Sequence, residues 1–195
     1  MAISVEDIKK LREQTGAGMM KAKEALEAAS GDFDKAVVYL REKGEATAAK
    51  KAEREARAGI IEAYVHGGRI GVLVEINCET DFVARTEEFK QYARDVAMHI
   101  AAINPQYLNP EAVPAEVVEQ EKAIYRKEVA GKPAEIVEKI VEGKLAKYYE
   151  GVCLTAQPFV KDPDVTVGKL TTNLVAKLGE NIVIRRYSRL ELGTN

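Results

Sequence analysis

The sequence predicts an α+β fold with a small N-terminal three-helix module, a charged helical linker, and an α+β core that contains an antiparallel sheet and a helical hairpin. Three observations lead to this prediction. Apolar residues recur at helical spacing through residues 1–44. Residues 70–78 instead alternate between apolar and polar types, as a half-buried strand does. Two long amphipathic stretches within residues 114–149 are separated only by a short Gly-Lys-Pro break. We therefore assign residues 1–44 to the module, 45–57 to the linker and 58–195 to the core.

The composition is that of a folded globular protein. Of the 195 residues, 46% are hydrophobic and 31% are charged, and the net charge is −2. A chain of this length buries roughly 70% of its unfolded surface, so we expect it to fold without a disulfide, metal or cofactor. The charge balance argues against a protein devoted to nucleic acid. Cys78 and Cys153 lie in apolar runs and outside any metal-ligand spacing, which predicts buried, reduced thiols.

The beginning of the chain favours the cytoplasm. Glu6, Asp7 and Lys9 make the first helix amphipathic and charged, unlike a signal peptide. No apolar run approaches the ~20 residues that a membrane span needs. We therefore expect a cytoplasmic protein that does not bind a membrane.

Three short helices account for the N-terminal module. Ser4 can cap the first helix, with Asp7 placed for a capping box, and residues 15–18 break it. The second runs from about Met19 to Ala29, and Gly31-Asp32 separates it from the third. The predicted buried faces consist of Val5, Ile8 and Leu11, of Met19, Ala22 and Leu26, and of Phe33, Ala36, Val37 and Leu40.

A charged helix follows the module. We expect Gly44 to end the third helix, after which residues 45–57 combine alanine with mixed charges and almost no large apolar side chain. Such a helix can bury little surface, which predicts a solvated linker. The alternative is a basic stripe that touches RNA, formed by Lys50, Lys51, Arg54 and Arg57. The intervening glutamates favour the solvated helix.

The core begins with a β-hairpin. Strands are predicted from Ile60 to Val65 and from Ile70 to Cys78, with a two-residue turn at Gly67-Gly68. The alternation stops after Cys78, where Thr80 or Asp81 can cap a short helical turn. By residue type, Phe82 is expected to fold back into the core. The alternative is that Asp81 and Phe82 are presented to a partner.

Helices fill the middle of the core. Thr86 caps a helix that Asn104-Pro105 ends, and its buried face is predicted to hold Phe89, Tyr92, Val96, Ile100 and Ile103. His99 borders that face, and without a metal partner we expect it to be packed. Pro114 opens a second helix, and the break at residues 131–133 predicts that the next helix returns antiparallel.

The last part of the core is predicted to contain two strands and one helix. A strand is expected from Val152 to Ala156, ended by Pro158, and a helix is expected to end at Gly179. The final strand runs from Ile182 to Leu192. Its three arginines are expected to protect a sheet edge, the alternative being an interface; they are Arg185, Arg186 and Arg189.

The residues contain no recognisable catalytic constellation. His66 and His99 are far apart in sequence, and neither a nucleophile motif nor a dinucleotide-binding loop is present. Glu75, Glu79 and Asp81 could form a carboxylate cluster that binds a metal or serves a small enzyme, but solvation is the default interpretation. The residues alone thus indicate a cytosolic binding protein that is not an enzyme.

Three stretches of the chain resemble the translation elongation factor Ts family in its short bacterial form. The first is Glu75-Ile76-Asn77-Cys78-Glu79-Thr80-Asp81-Phe82-Val83-Ala84-Arg85, which looks like the family signature centred on Thr-Asp-Phe-Val. The second runs from Leu11 to Met20 and continues to Lys23, Ala25 and Leu26, and the third runs from Leu154 to Asp162. The resemblance implies that the N-terminal module is of the ubiquitin-associated type.

The resemblance also implies a function, namely guanine nucleotide exchange on the translational GTPase elongation factor Tu in its GDP-bound and nucleotide-free forms. In the family an Asp-Phe pair disturbs the magnesium site of the GTPase, and the matching residues are Thr80, Asp81, Phe82 and Val83. The N-terminal module grips the GTPase, and the matching residues are Leu11, Arg12, Met19, Met20 and Lys23. Short members dimerise, which implies a homodimer. The alternative function is a ribosome- or RNA-associated binding module, although we expect no direct nucleic-acid contact.

Overall fold

The computed structural model describes residues 3–131 and 133–194 and confirms the α+β fold. In these ranges the α-helices are α1 (Val5–Thr15), α2 (Met19–Ala28), α3 (Phe33–Lys51), α4 (Asp81–Ala84), α5 (Glu87–Ile103), α6 (Ala115–Glu128), α7 (Ala134–Val152) and α8 (Val167–Leu178). The strands are β1 (Ala58–His66), β2 (Ile70–Cys78), β3 (Pro158–Phe159), β4 (Asp162–Thr166) and β5 (Ile182–Glu191). One sheet has the order β1-β2-β5, and β3 pairs with β4 in an antiparallel ribbon.

The chain groups into two compact units. The first contains the residues up to Ile60 together with Ile76–Lys90 and Thr171–Val183, and the second contains Ile61–Glu75, Gln91–Leu170 and the residues from Ile184 onward. The predicted boundaries at residues 44 and 57 both fall inside the first unit. The division into module, linker and core, and the separate folding of residues 1–44, stay predictions.

The N-terminal helices of the first unit share a small core of their own. Ser4 and Asp7 form the predicted capping box at the start of α1, and Gly16 ends this helix with a left-handed backbone. The core is made of Ile8, Leu11, Ala22, Ala25, Leu26 and Ala36. Val5 and Met19 do not belong to it, since Val5 is 56% exposed and Met19 is 39% exposed. The buried stripe is therefore narrower than predicted, because small alanines bring the helices close together.

Gly44 does not end the third helix, contrary to the prediction. Helix α3 continues through it to Lys51. Gly44 is buried, and a Cβ added to it would lie 3.4 Å from the Cβ of Ala176 on α8. The glycine thus permits a close approach of two helices rather than a turn. Lysines fix this contact, since Lys21 Nζ donates to Ala176 O over 2.6 Å and Lys51 Nζ donates to Gly179 O at the C-terminal end of α8.

The β-hairpin has the predicted geometry. Gly67 and Gly68 have φ values of 56° and 68°, and Arg69 N donates to His66 O over 3.0 Å. Only glycine adopts two successive left-handed conformations at little cost, which explains the Gly-Gly pair. Alternate residues of β2 are buried, as predicted, and they are Val72, Val74, Ile76 and Cys78.

The second unit is built on α5. Its residues Tyr92, Val96 and Ile100 are buried as predicted, whereas Ile103 at the end of the helix is 45% exposed. Helices α6 and α7 form the predicted hairpin, in which Arg126 donates from Nε and Nη2 to Glu138 over 2.9 and 3.1 Å. No helix in the described part of the chain is long and apolar enough to cross a bilayer.

The strand predicted from Val152 to Ala156 is wrong. Helix α7 extends to Val152, and the chain then turns, with a single bridge between Tyr107 and Cys153. Pro158 does not end a strand but begins β3, the short partner of β4. An apolar run after a helix suggested a strand, but the hydrogen bonds of this segment go to loop carbonyls such as Tyr107 O and Leu108 O.

His99 is packed, as predicted, in a fully buried polar site. Its Nε2 lies 3.0 Å from Gln157 Oε1, and Val160 N donates to its Nδ1 over 3.2 Å. An acceptor at Nδ1 requires the neutral imidazole with its proton on Nε2. Burial lowers the pKa of His99 below its usual 6.5, because it penalises the charged ring more than the bond to Gln157 favours it.

This site predicts that the stability of the protein decreases as the pH is lowered below about 6.5. The pKa is lower in the folded than in the unfolded protein, so the stabilisation is complete above the unfolded pKa of about 6.5 and is lost as the pH falls below it. For one proton the slope is at most about 1.4 kcal/mol per pH unit. Urea unfolding between pH 7.5 and 5.5 measures it. His66→Gln, which removes the exposed histidine, should retain the slope; its disappearance in that variant would assign the effect to the wrong residue.

Candidate functional site

A short helical turn follows the end of β2. Among the large hydrophobic residues that the structure describes, the most exposed one, a phenylalanine, lies on this turn. Thr80 is the N-cap of α4, and its Oγ1 accepts from Val83 N over 3.5 Å. Ala84 anchors the turn in the interior, whereas Phe82 is 80% exposed. We call residues 80–83 the tip. The interpretation in which Phe82 folds back into the core is therefore wrong, because the cap directs this side of the turn away from the buried face of β2.

Asp81 lies beside Phe82 and is paired within the turn. Arg85 Nη2 donates to Asp81 Oδ2 over 2.7 Å, and both side chains are mostly exposed, at 76% and 58%. A pair this exposed contributes little to folding, because water competes for both charges. Asp81 can therefore exchange this partner for another at small cost. Arg85 was not predicted as a site residue, although its spacing of four from Asp81 is the spacing of helical ion pairs.

A carboxylate from a distant part of the chain holds the base of the tip. Glu180 Oε2 accepts from Glu79 N and Thr80 N over 3.1 and 3.0 Å, and Glu180 Oε1 accepts from Thr80 Oγ1 over 2.6 Å. Glu180 directly follows Gly179, whose φ of 79° turns the chain out of α8. These contacts join residues about 100 positions apart, and no local pattern in the sequence indicates them.

The same two segments exchange a second set of hydrogen bonds. Asn181 N donates to Glu79 Oε1 over 2.6 Å, and Asn181 Nδ2 donates to Ala52 O and Arg54 O over 3.3 and 2.7 Å. The hydrogen bonds between the two segments are reciprocal. The Glu180 carboxylate accepts from the backbone N–H groups of residues 79 and 80, and the Glu79 carboxylate accepts from the backbone N–H of residue 181. Hydrogen bonds to ionised carboxylates are stronger than neutral ones.

The thiol of Cys78 completes the support of Thr80. Cys78 is fully buried, as predicted, and its Sγ donates to Thr80 O over 3.1 Å. Burial, and next the charge of Glu180, raise the pKa of the Cys78 thiol, so it remains a protonated donor. The backbone N–H, the carbonyl and the hydroxyl of Thr80 are thus all bonded to fixed groups.

The five residues predicted for docking do not all lie on the surface. Arg12, Met19, Met20 and Lys23 are exposed, with Met20 at 78%. Leu11 is fully buried and belongs to the helical core. Leu11 therefore does not offer its side chain at the surface and supports α1 from inside. The docking role of the five residues stays a prediction.

The carboxylates that could have formed a metal site have other partners. Arg186 Nε donates to Glu75 Oε2 over 2.7 Å, Glu79 holds Asn181, and Asp81 pairs with Arg85. Among residues 3–131 and 133–194, no group of three or more histidine, cysteine and carboxylate side chains is placed to hold a metal ion.

The basic residues considered for RNA binding are largely engaged with protein groups. Lys51 donates to Gly179 O. Arg54 Nη1 lies 3.6 Å from Glu79 Oε2, and Arg57 Nε lies 2.6 Å from Glu55 Oε1. In β5, Arg189 donates to Ala101 O and to Glu191. These pairings reduce the positive surface that a phosphate backbone would need.

Comparison with known proteins identifies the family. The model of the elongation factor TS family matches residues 4–174. The elongation factor Ts of Thermodesulfovibrio yellowstonii is 57% identical over 194 residues, covering 99% of this chain and 98% of that protein. The elongation factors Ts of Carboxydothermus hydrogenoformans and Syntrophus aciditrophicus are 60% and 55% identical, over 98% and 99% of this chain and 89% and 98% of theirs. With the signature residues on an exposed, supported tip, the chain belongs to the elongation factor Ts family.

Proposed function

We propose that this chain is the guanine nucleotide exchange factor of elongation factor Tu and that the tip promotes GDP release by disturbing the magnesium and phosphate site of the GTPase. The observation that carries the proposal is the 80% exposure of Phe82 on a capped and anchored turn. An exposed phenylalanine gains nothing for the fold, whereas an aromatic side chain that enters a partner gains binding energy by burial.

The tip divides the work between an apolar and a charged side chain. Phe82 wedges between side chains of the GTPase. Asp81, released from Arg85, places a negative charge near groups that coordinate magnesium. The magnesium and the nucleotide belong to the partner, and this chain supplies no cofactor of its own. Exchange makes and breaks no covalent bond, so the chain is not an enzyme in the chemical sense.

The thermodynamic basis is a coupling free energy. A factor that binds the nucleotide-free GTPase more tightly than the GDP-bound form must weaken GDP binding by the same ratio. Contacts outside the tip add affinity for both forms and keep the factor bound while GDP leaves. We assign these contacts to Arg12, Met19, Met20 and Lys23. The reaction takes place in the cytoplasm, where translation occurs.

A GDP-release assay tests the function. The cognate elongation factor Tu is loaded with a fluorescent GDP, and release is followed while this chain is added at increasing concentration. Release should accelerate and saturate. An RNA-binding module would instead bind RNA with an affinity that falls steeply with salt and would leave GDP release unchanged. Release that stays at the intrinsic rate would exclude the exchange function.

A homodimer is the second part of the proposal, and one face of the sheet in the second unit supports it. Glu62 of β1 lies 3.6 Å from Arg94 of α5, and Arg189 of β5 donates to Ala101 O of the same helix. The alternate residues of these strands therefore face away from α5. They include exposed apolar side chains, namely Ile61 at 68%, Val65 at 68% and Leu190 at 73%, with Leu73 of β2 at 53%.

An apolar sheet face of this kind is unusual on a monomer and fits a second copy placed by a two-fold axis. Leu73→Glu should raise the dimer dissociation constant at least roughly tenfold, because a carboxylate would be buried in the interface twice. Sedimentation at micromolar concentration measures it. Ile136→Glu, on α7 at 48% exposure, is the matched control and should remain dimeric. Reducing agent should have no effect, since Cys78 and Cys153 are buried free thiols. A monomeric unsubstituted protein would contradict the dimer.

A further inference from the structure

We propose that Glu180 is a positioning residue for nucleotide exchange, because its carboxylate fixes the hydroxyl of Thr80 and thereby the orientation of the whole tip. This inference rests on the proposed function of the tip. It concerns a residue that lies outside the family signature in sequence, two positions after the last residue of α8.

The hydrogen bonds at the Thr80 hydroxyl have a fixed direction. An ionised carboxylate only accepts, so Thr80 Oγ1, which lies 2.6 Å from Glu180 Oε1, must donate its proton to it. The hydroxyl lone pairs are then free to accept from Val83 N, which is the cap of α4. Glu180 thus sets the rotation of the hydroxyl that closes the turn.

Phe82 lies inside the turn that this hydroxyl caps. Phe82 is the second residue of α4, a helix of only four residues, Asp81–Ala84. So short a helix has almost no stability of its own and depends on its cap. Because Phe82 is 80% exposed, few packing contacts hold its side chain. The cap, and through it Glu180, therefore decides where the wedge points.

Glu180 is committed to the base of the tip. Among residues 3–131 and 133–194, the hydrogen bonds of its carboxylate go to Glu79 N, Thr80 N and Thr80 Oγ1. A pre-organised wedge matters most after docking, in the complex where GDP leaves. Loss of the carboxylate should therefore lower the rate at saturation and not the apparent affinity.

The test uses Glu180→Gln, which keeps the size of the side chain but replaces one acceptor by a donor. With the new amide donating to it, the Thr80 hydroxyl loses the acceptor of its own proton, so its rotation is no longer fixed for the bond from Val83 N. We expect GDP release at saturating factor to slow about tenfold, as the loss of a charge-assisted hydrogen bond would cause. The half-saturating concentration should change by less than about twofold. Hydrogen exchange at the Val83 amide of the free protein should become faster.

Matched variants separate positioning from general destabilisation. Glu88→Gln removes a carboxylate that pairs with Lys177 at 2.7 Å in the same unit, and it should leave both kinetic parameters unchanged. Thr80→Val should slow GDP release as Glu180→Gln does. Thr80→Ser, which retains the hydroxyl, should release GDP at the rate of the unsubstituted protein. The double variant Glu180→Gln/Thr80→Val should be no slower than the slower single variant, within about twofold, because both act through one hydrogen bond.

The outcomes distinguish this inference from the proposed function. If Phe82→Ala slows release but Glu180→Gln releases GDP at the unchanged rate, the positioning role is wrong and the exchange function stands. If Glu180→Gln raises only the half-saturating concentration, Glu180 serves docking and the inference is also wrong. If Phe82→Ala itself accelerates GDP release normally, both the wedge role of Phe82 and the positioning role of Glu180 are wrong. Should Glu180→Gln fail to fold, Thr80→Val and Thr80→Ser test the inference instead. Equal GDP release rates in those two variants would contradict positioning of the tip through the Thr80 hydroxyl.

Discussion

Phe82→Ala is expected to slow GDP release at saturating factor by roughly 30- to 1,000-fold, the equivalent of about 2–4 kcal/mol for a central aromatic anchor. The melting temperature should hardly change, because substitution of an 80% exposed side chain leaves no cavity and costs within about 0.5 kcal/mol of stability. Asp81→Ala should act in the same direction with a smaller effect. The two measurements needed are a thermal melt and release kinetics at saturation.

A buried role for Phe82 makes the opposite prediction. Truncation of a core phenylalanine costs about 3–5 kcal/mol of stability. A strongly destabilised Phe82→Ala that still accelerates release normally would therefore refute the wedge. Ile136→Ala is a suitable control, because Ile136 is 48% exposed on α7 and lies outside both the tip and the proposed dimer face; its release rate at saturation should stay unchanged.

The second large effect is expected at the N-terminal helices. Replacing Met19 and Met20 together by aspartate should raise the half-saturating concentration by roughly 30- to 150-fold, equal to about 2–3 kcal/mol of binding. Methionine forms adaptable apolar contacts, and a carboxylate in their place would be desolvated without a partner. The release rate at saturation should remain near normal, because the tip is intact.

A matched variant tests whether this effect is local. Val5→Asp places one such carboxylate on another exposed apolar residue of the same helical module, at 56% exposure and outside the stretch from Leu11 to Leu26. Its half-saturating concentration should change little. An equal loss for Val5→Asp would indicate a general charge effect, and an unchanged Met19→Asp/Met20→Asp variant would contradict docking through α2.

The parts of the fold that depend on local sequence were predictable. The capping box at Ser4, the Gly67-Gly68 turn and the alternation of β2 each rest on residues within a few positions of one another, and all three are confirmed. From residue type alone the tip was predictable only as two alternatives, of which a buried Phe82 was favoured. The family resemblance instead favoured a Phe82 presented to a partner, and the 80% exposure of this residue agrees with that choice.

The errors arose where tertiary contacts decide the outcome. Glycine commonly ends a helix, which led to the wrong prediction at Gly44. Here its lack of a side chain instead lets α3 pack closely against Ala176 of α8. Val152 and its neighbours have strand propensity, yet α7 and the loop at Tyr107 determine their hydrogen bonds. The role of Glu180 was not predictable, because its partners in the tip lie about 100 positions earlier in the chain.

The continuity of α3 determines how the docking part can be isolated. A fragment cut after residue 44 would lose residues 45–51 of the helix and leave the last four carbonyl groups without intrahelical donors. It would also unwind at the buried glycine, where the helix is intrinsically weakest. A fragment extended to Arg54 keeps the whole helix and the Ala52 cap, whose N–H bonds to Ala48 O. Such a fragment is the better starting material for binding measurements by NMR or calorimetry.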